Sequence, residues 1–339
     1  MSPKPLPLRV AASLGAMGLV AVASVAVGSA SDTSAATLLV LALEPLLWGF
    51  LLLGSAYALL RRRPLLAAVA LFGVVSLAWG LRRDPPRVEP PHVNEQASPW
   101  MRRCAYEAAQ ASRPLRLLSW TAEGEVGALR ELVEVAEPDV VVVQGMAEAE
   151  AESLARVLEA DLAWAESGSG GQAVLAMQGL HECGPERVYS VSLPALGERE
   201  AGAMLSFPLV DGQAVPLLAL DADGPSALEL GQWPDLLEAT GLTLAGVGRG
   251  LSSEALLVVG DAHTHTTFRQ FEAHMASAGL AAAPARPTWP ARLGPLPVPP
   301  LYSPERLWHG ASWQVQAVET RRTQGPNLAL VVDLAPSGA

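Results

Sequence analysis

The sequence predicts an α/β protein in which N-terminal transmembrane helices are followed by an α/β sandwich. Three observations lead to this prediction: long apolar runs near the N-terminus, alternating strand-like and helix-like segments from about residue 115, and hairpin signals in mid-chain. An alternation of strands and helices that gives way to hairpins is typical of a layered sandwich rather than of a doubly wound parallel sheet.

Residues 1–83 are predicted to form a membrane anchor. Three apolar runs cover about 10–30, 35–60 and 64–81. Each is long enough to cross a bilayer core, which needs about 20 residues in a helix. The first run is long for a signal peptide and two more follow it, so we expect three transmembrane helices. Glu44, inside the second run, is either a functional ionisable group in the membrane or an interfacial residue preceding a helix that starts at Pro45.

Basic residues predict which side of the membrane each segment faces. Lys4 and Arg9 precede the first run, and three arginines at 61–63 separate the second run from the third. Short basic loops stay in the cytoplasm, so everything after the third helix is expected to face outward. Residues 84–99 are rich in proline and predict a semi-extended linker. We therefore expect residues 100–339 to form a domain at the outer face of the cytoplasmic membrane, with the lipid bilayer as a partner.

The predicted domain is strongly acidic. The chain has 23 basic and 34 acidic residues, of which seven and three lie in residues 1–84, so the remainder carries 16 and 31, a net charge of −15. Tight nucleic-acid binding relies on basic surface that neutralises phosphates. We therefore expect no nucleic-acid partner.

The two cysteines, Cys104 and Cys183, both lie in the predicted outer domain. They form either a disulfide, which an oxidising compartment permits, or two free buried thiols. The sequence contains no CxxC pair, which excludes a zinc ribbon.

Local patterns predict the elements of the domain in order. Runs of apolar and β-branched residues, with the hairpin turn Asp211-Gly212, predict strands at 115–120, 139–146, 172–177, 203–210, 214–221, 256–260, 308–319 and 328–334. Helical periodicity predicts helices at 101–111, 125–136, 147–162 and 267–278.

The segment from 256 to 265, LLVVGDAHTH, carries the clearest functional signal. Its apolar run predicts a buried strand that ends in a turn and presents Asp261 at the tip. His263 and His265 follow at two-residue steps, so in an extended segment they share one side with Asp261. Carboxylate and imidazole together suit Zn²⁺, Mn²⁺ or Fe²⁺. The alternative is that all three are solvated turn residues ahead of a helix.

The order of these motifs resembles the endonuclease/exonuclease/phosphatase (DNase I-like) superfamily. The segments LRLLSWT, EPDVVVVQG, PLLALDAD, LLVVGDAH and NLALVVDL correspond to its successive motif strands, and the resemblance runs from about residue 115 to 335. It implies a four-layer α/β sandwich. In the family this fold carries metal-dependent phosphoesterase activity, so the resemblance also implies Mg²⁺ or another divalent metal if the chain is active.

Most of the family's catalytic positions are substituted in this chain. Asp261 alone is clearly retained, with Gln144 beside the position of the metal-binding Glu. The other positions read Thr121 for Asn, Gly145 for the metal-binding Glu, Asp221 for His, His263 for Asn, Glu305-Arg306 for Asp-His, and Gly325-Pro326-Asn327 for Ser-Asp-His. A glycine offers a metal no side-chain ligand, and Pro-Asn takes up no proton near neutral pH.

Two functions are therefore expected from the sequence. The first is a catalytically degenerate domain that binds a ligand or a protein partner near the membrane surface. The alternative is a divergent metal-dependent phosphoesterase acting on a lipid-linked or small phosphate. In that case Asp261, His263 and His265 are the expected metal ligands, and Gln144 is a further candidate. Asp221, Glu305 and Asn327 complete the set of candidate site residues.

Overall fold

The computed structural model describes residues 114–122, 126–166, 170–181, 186–192, 200–221, 241, 244–245, 251, 254–261, 269–288, 292–293, 296–297, 305–323 and 327–338. The predicted transmembrane runs, Glu44, the linker, the predicted helix at 101–111 and both cysteines lie outside these residues. Within the described residues, none of the helices has the length and apolar character needed to cross a membrane.

The described part of the chain is rich in strands. In chain order they are β1 (Leu115–Thr121), β2 (Val140–Gln144), β3 (Asp161–Ala165), β4 (Gln172–Ala176), β5 (Glu186–Ser192), β6 (Glu200–Ser206), β7 (Leu209–Val210), β8 (Gln213–Ala214), β9 (Leu217–Asp221), β10 (Leu257–Asp261), β11 (Ala281–Ala282), β12 (Arg292–Leu293), β13 (Leu296–Pro297), β14 (Glu305–His309), β15 (Trp313–Arg322) and β16 (Leu328–Pro336). The helices are α1 (Val126–Ala136), α2 (Glu148–Leu158) and α3 (Arg269–Ser277).

Two six-stranded mixed sheets form the centre of the domain. Sheet I has the strand order β15-β16-β1-β2-β4-β3, and sheet II has the order β11-β14-β10-β9-β6-β5. Each sheet contains one parallel pair, β1–β2 in sheet I and β9–β10 in sheet II, and its other pairs are antiparallel. The pairs β12–β13 and β7–β8 form two small separate sheets.

Side chains alternate between the two faces of each strand, and this alternation builds the layers. Leu117, Val142 and Val174 of sheet I pack with Leu217 and Val259 of sheet II in one continuous buried core. Sheets packed in this way exclude water from both inner faces. The odd-numbered positions of β1 and the even-numbered positions of β2 therefore point into the centre of the sandwich.

The outer faces of both sheets are covered by helices. Leu129 and Leu132 of α1 and Leu154 of α2 pack against the outward residues of sheet I, such as Trp120 and Val141. On sheet II, Phe271 of α3 contacts Trp308 of β14, with ring centroids 5.5 Å apart. The order helix, sheet, sheet, helix is the four-layer α/β sandwich that the resemblance implied.

Most predicted elements are confirmed, with shifts of one to three residues at their ends. The predicted helix at 147–162 is too long, because α2 ends at Leu158 and β3 starts at Asp161. Glu159 adopts the left-handed conformation with φ 52° and ends the helix. The composition of α2, which is rich in Glu and Ala, continues to the end of the helix and gave no sign of this break. The only signal was the segment DLAWA that follows, in which polar and apolar residues alternate as in a strand.

Two strand predictions also needed correction. The predicted strand at 308–319 is two strands, β14 and β15, which are separated by a turn and lie in different sheets. The hairpin turn at Asp211-Gly212 is confirmed, with φ angles of 53° and 74°, as a two-residue hairpin turn of this kind requires. It closes only the short β7–β8 pair, because Pro208 and Pro216 interrupt the longer strands that were predicted around it.

Candidate functional site

At one end of the sandwich, the inward-facing side chains change from apolar to polar. In three adjacent strands of each sheet, the row of inward-facing side chains ends in a polar residue. All six of these residues lie at the same end of the two sheets. These residues, called the polar cluster below, are Thr121, Gln144 and Gln172 of sheet I and Asp221, Asp261 and Glu305 of sheet II. The cluster brings together residues that lie up to 184 positions apart in the sequence.

The three acidic residues of the cluster are neighbours on adjacent strands. Asp261 of β10 is in register with Asp221 of the parallel strand β9 and with Glu305 of the antiparallel strand β14. Residues in register on neighbouring strands project from the same face of a sheet. All three are nearly inaccessible, with exposures of 4% for each aspartate and 1% for Glu305. The acidic side chains therefore face the interior between the sheets rather than an open surface.

Thr121 connects this acidic row to the opposite sheet. Its backbone N–H donates to Oε1 of Glu305 at 2.5 Å, and its hydroxyl donates to Oδ2 of Asp261 at 3.3 Å. Its carbonyl accepts a hydrogen bond from Nδ2 of Asn327 at 3.2 Å. The sequence analysis treated Thr121 only as a substitution for the family's asparagine. Ser119 stands two residues before Thr121 on the same inward face of β1 and is buried. This second polar residue was the available signal that the inward face of β1 ends in polar side chains.

Burial shifts the titration of the Glu305 carboxyl toward its protonated form. Removal from water raises the pKa of Glu305 well above the usual value, and the charge of Asp261 raises the pKa further. The hydrogen bond from the Thr121 backbone N–H lowers the pKa but does not reverse the shift. Two adjacent buried carboxyl groups resist simultaneous ionisation because like charges repel strongly where water is excluded.

The sheet I half of the cluster is uncharged and contains two side-chain amides besides Thr121. Gln144 is in register with Thr121 on one side and with Gln172 on the other. Gln144 and Gln172 are 0% and 1% exposed. A Cβ atom built at Gly260 of sheet II would lie 2.7 Å from Nε2 of Gln144, so this amide reaches the backbone of the opposite sheet. Gln172 was not singled out from the sequence, although its position after two glycines marks the start of a strand.

The residue that follows Gln144 cannot supply a ligand. Gly145 has a φ angle of 71°, and an added Cβ atom would lie 2.7 Å from the carbonyl oxygen of Ala122. A side chain at this position would be strained in its backbone conformation and would clash with the backbone that follows β1. The resemblance predicted that Gly145 replaces the family's metal-binding carboxylate, and the local backbone has no room for a side chain there.

The described carboxylates are not arranged as an Mg²⁺ site. Magnesium requires charged or strongly polar oxygens in near-octahedral geometry, whereas Oε1 of Glu305 accepts the backbone N–H of Thr121 and Oδ2 of Asp261 accepts the Thr121 hydroxyl. Among the residues that the structure describes, no group of three or more His, Cys, Asp or Glu side chains is arranged to hold a metal ion. His263 and His265 lie outside the described residues, so their predicted role as metal ligands remains a prediction.

Asn327, which the resemblance placed at the family's general-base position, makes structural contacts. The residue is 5% exposed, and its side-chain amide donates to the backbone carbonyl of Thr121. The backbone carbonyl of Asn327 accepts a hydrogen bond from the Thr323 hydroxyl at 2.5 Å. An amide has no proton-accepting nitrogen at neutral pH. Asn327 thus fixes the end of β1 against the start of β16.

A second polar network lies on the opposite face of β14 and was not anticipated. Arg306 is 2% exposed and donates through Nη2 to Oε1 of Glu272 at 2.6 Å. Trp308 donates to the other carboxylate oxygen of Glu272 at 3.0 Å, and the Arg306 guanidinium lies 5.1 Å from the Trp308 ring centroid. Because Glu305 and Arg306 are consecutive, the two networks fix the two faces of the same strand.

Comparisons with known proteins identify the fold. No family model matches the chain, and no curated protein matches it. Among solved structures it is similar to an endonuclease/exonuclease/phosphatase from Beutenbergia cavernae DSM 12333, with 17% identity, a TM-score of 0.51, and coverage of 67% of this chain and 73% of that chain. It is also similar to the human Nocturnin catalytic domain with bound sulfate anion, with 15% identity, a TM-score of 0.50, and coverage of 66% and 95%. The chain therefore has the fold of the endonuclease/exonuclease/phosphatase (DNase I-like) superfamily.

Proposed function

We propose that this chain is a catalytically degenerate, membrane-anchored protein of the endonuclease/exonuclease/phosphatase fold, which acts as a binding domain at the outer face of the cytoplasmic membrane. The fold is that of a phosphoesterase or nuclease. The proposal of degeneracy is supported by the polar cluster, in which the groups that would serve hydrolysis are replaced or engaged in structural contacts.

The burial of the acidic row is the observation that carries the proposal. Asp261 is the one residue retained at a family catalytic position, yet it is 4% exposed and accepts a hydrogen bond from Thr121. Burial also raises the pKa of its neighbour Glu305, which disfavours the charged form that a metal would need. A carboxylate that must bind a metal and a phosphate needs access to both. A closed acidic row is better suited to holding two sheets together than to catalysing hydrolysis.

The substitutions act together, which strengthens the proposal. Catalytic groups that cooperate lose their effect as a unit, so one surviving member contributes little. In this chain Gly145 has no room for a ligand and Asn327 cannot accept a proton. Restoring a single family residue is therefore not expected to restore hydrolysis.

The membrane location is supported by the sequence. Three apolar runs of membrane-spanning length precede the domain, and the basic residues of the short loops favour an outer location for it. An acidic domain at this surface suits a ligand or protein partner near the membrane better than a nucleic acid.

A hydrolysis assay on the full 339-residue chain tests the proposal. The purified chain is incubated with bis-p-nitrophenyl phosphate and p-nitrophenyl phosphate, each with Mg²⁺, Mn²⁺ or Zn²⁺. We expect no metal-dependent rate above background, and no difference between the wild type, Asp261→Ala and the control Glu131→Ala, which removes an exposed carboxylate on α1.

A divergent metal-dependent phosphoesterase is the second candidate. The side-by-side placement of Asp221, Asp261 and Glu305 favours it, because a rearrangement of one strand end would expose three acidic groups at once. A metal-dependent rate that falls on the order of 100-fold or more in Asp261→Ala, but not in Glu131→Ala, would support this candidate and overturn the first. Bound metal that is lost together in His263→Ala and His265→Ala would point the same way.

A further inference from the structure

The two edge strands of sheet I differ in how they are protected. The edge strand β15 has a register shift between Val315 and Ala317, and its far end carries exposed charges at Glu319 and Arg321. Bulges and charged residues keep an edge strand from pairing with another chain. The opposite edge strand, β3, is in unbroken register with β4 and contains no proline and no basic residue. Among the strands that the structure describes, β3 pairs only with β4, so its other side offers backbone groups to an added strand.

The outer face of β3 carries an apolar strip. The two alanines of β3 point into the central core, whereas Leu162 and Trp164 face outward and are only partly buried. The Trp164 ring is fixed in place, because its Nε1 donates to the carbonyl of Met146 at 3.1 Å. Val157, near the end of the helix that leads into β3, is 52% exposed. An edge strand that combines open backbone groups with apolar side chains is a natural site for an added strand.

Acidic residues flank this strip at both ends. Glu159 and Asp161 precede it and Glu166 follows it, and all three are exposed. The segment 157–166 contains no Lys or Arg. Pairing with the same strand of a second copy would bring together three carboxylates from each chain, and an anionic membrane surface would be repelled as well. A partner that carries Lys or Arg beside its apolar residues complements this charge.

We propose that the β3 edge binds an extended segment of a protein partner, in which central apolar residues are flanked by Lys or Arg. The segment adds a strand to sheet I through its backbone. Its apolar side chains contact Leu162 and Trp164, and its basic side chains face Glu159 and Glu166. This inference rests on the proposed function, since it names the kind of partner that the non-hydrolytic binding domain takes.

Three labelled peptides test the proposal on the full chain. The probe KKVTVTVKK has apolar residues at alternate positions between basic ends. The peptide EEVTVTVEE reverses its charges, and KKVTPTVKK keeps the charges but places a proline, which has no backbone N–H, in the strand. Binding is measured by fluorescence anisotropy. We expect KKVTVTVKK to bind about tenfold more tightly than either of the other two, because both strand pairing and charge contribute.

Variants at the edge assign the binding to β3. The double variant Glu159→Lys with Glu166→Lys should bind KKVTVTVKK about tenfold more weakly and EEVTVTVEE more tightly than the wild type does. A gain of this kind cannot result from lost folding. Glu131→Lys, at an exposed position on α1, is the matched control and should leave both affinities unchanged. Val157→Thr should weaken the binding of KKVTVTVKK, whereas Val135→Thr, at a 70% exposed position on α1, should not.

The contrary outcomes are distinct. Equal binding of KKVTVTVKK and KKVTPTVKK would rule out strand addition, and unchanged affinities in the double lysine variant would place the binding elsewhere. The absence of binding by all three peptides would also overturn the proposal. Self-association of the chain in sedimentation velocity, lost in Val157→Thr but not in Val135→Thr, would assign the edge to a second copy instead. None of these results bears on hydrolysis, which the assay with Asp261→Ala measures independently.

Discussion

Thr121 contacts the polar cluster through three different groups. Its N–H, hydroxyl and carbonyl engage Glu305, Asp261 and Asn327 respectively. A backbone N–H and carbonyl are obligatory hydrogen-bonding groups, so their pairing with side chains fixes the end of β1 in one position. The hydroxyl is the part of Thr121 that a substitution can remove, and the backbone contacts would remain. At the scale of single residues, two of the three contacts of Thr121 are therefore made by its backbone and do not depend on its side chain.

The raised pKa of Glu305 predicts a pH dependence of stability. The pKa of Glu305 is raised in the folded chain, so its contribution to stability is fully present below about pH 4 and is lost as the pH rises through the folded pKa. Glu305→Gln keeps the acceptor for Thr121 and cannot ionise. We expect its melting temperature to exceed that of the wild type increasingly between pH 5 and pH 9, as measured by thermal unfolding of the full chain. Glu319→Gln, on the exposed part of β15, is the control and should follow the wild-type profile. Parallel profiles for Glu305→Gln and the wild type would contradict the prediction.

At the scale of elements, α3 is fixed to sheet II by a buried charge. Arg306 of β14 is 2% exposed at its side chain and pairs with Glu272 of α3, which is 18% exposed. Trp308 donates to the same carboxylate. Breaking one member of a buried pair leaves the other charge without compensation, whereas replacing both members by apolar groups costs much less.

Removing Glu272 is therefore expected to destabilise the domain strongly. Glu272→Ala should lower the free energy of unfolding by about 3–5 kcal/mol, because Arg306 would remain buried without its counter-charge. The double variant Arg306→Met with Glu272→Ala should lose less than Glu272→Ala alone. Glu319→Ala removes the exposed partner of Arg321 and should cost less than about 1 kcal/mol. Denaturant unfolding of the wild type, these three variants and the single variant Arg306→Met measures these values. A loss in the double variant equal to the sum of the two single losses would show that the pair is not coupled.

At the scale of the whole molecule, the alternation of side chains explains why a polar cluster forms at one end. The strands β1, β2, β9 and β10 all end at that edge, while β4 and β14 begin there. A single polar residue at the boundary of each strand therefore meets its counterparts from five other strands. The same geometry closes the cluster, because two packed sheets cover each other's inner faces.

The predicted topology of the whole chain has a direct test. The basic residues at 4–9 and 61–63 are expected to stay in the cytoplasm, which places the 100–339 domain outside. In spheroplasts, an added protease should therefore cleave this domain from the membrane. A cytoplasmic marker protein should stay intact. Immunoblotting for the C-terminus measures the cleavage. Protection of the domain in intact spheroplasts, with digestion after permeabilisation, would place it in the cytoplasm and contradict the prediction.

Much of the fold was predictable from local patterns. The strands β1, β2, β4, β9, β10 and β16 are apolar runs with clear ends, and the sequence identified each of them. The strand β3 was hidden because its segment follows a Glu- and Ala-rich helix without a glycine or proline. The split between β14 and β15 was also missed, since Gly310 is a weak break in a run of strand-forming residues. Element ends of this kind depend on which sheet each segment joins, and that is a tertiary property.

The sequence alone determined that Asp261 ends a buried strand. Its resemblance to the family predicted that Gly145 replaces a carboxylate and that Asp221, Glu305 and Asn327 stand at site positions. The strand follows from residue type and order, which the chain carries locally. Only the tertiary structure decided that Asp261 is closed off rather than presented, and that Thr121 bonds to Glu305 across 184 positions. Burial and long-range hydrogen bonding depend on which faces of distant strands meet, and no local pattern specifies that meeting.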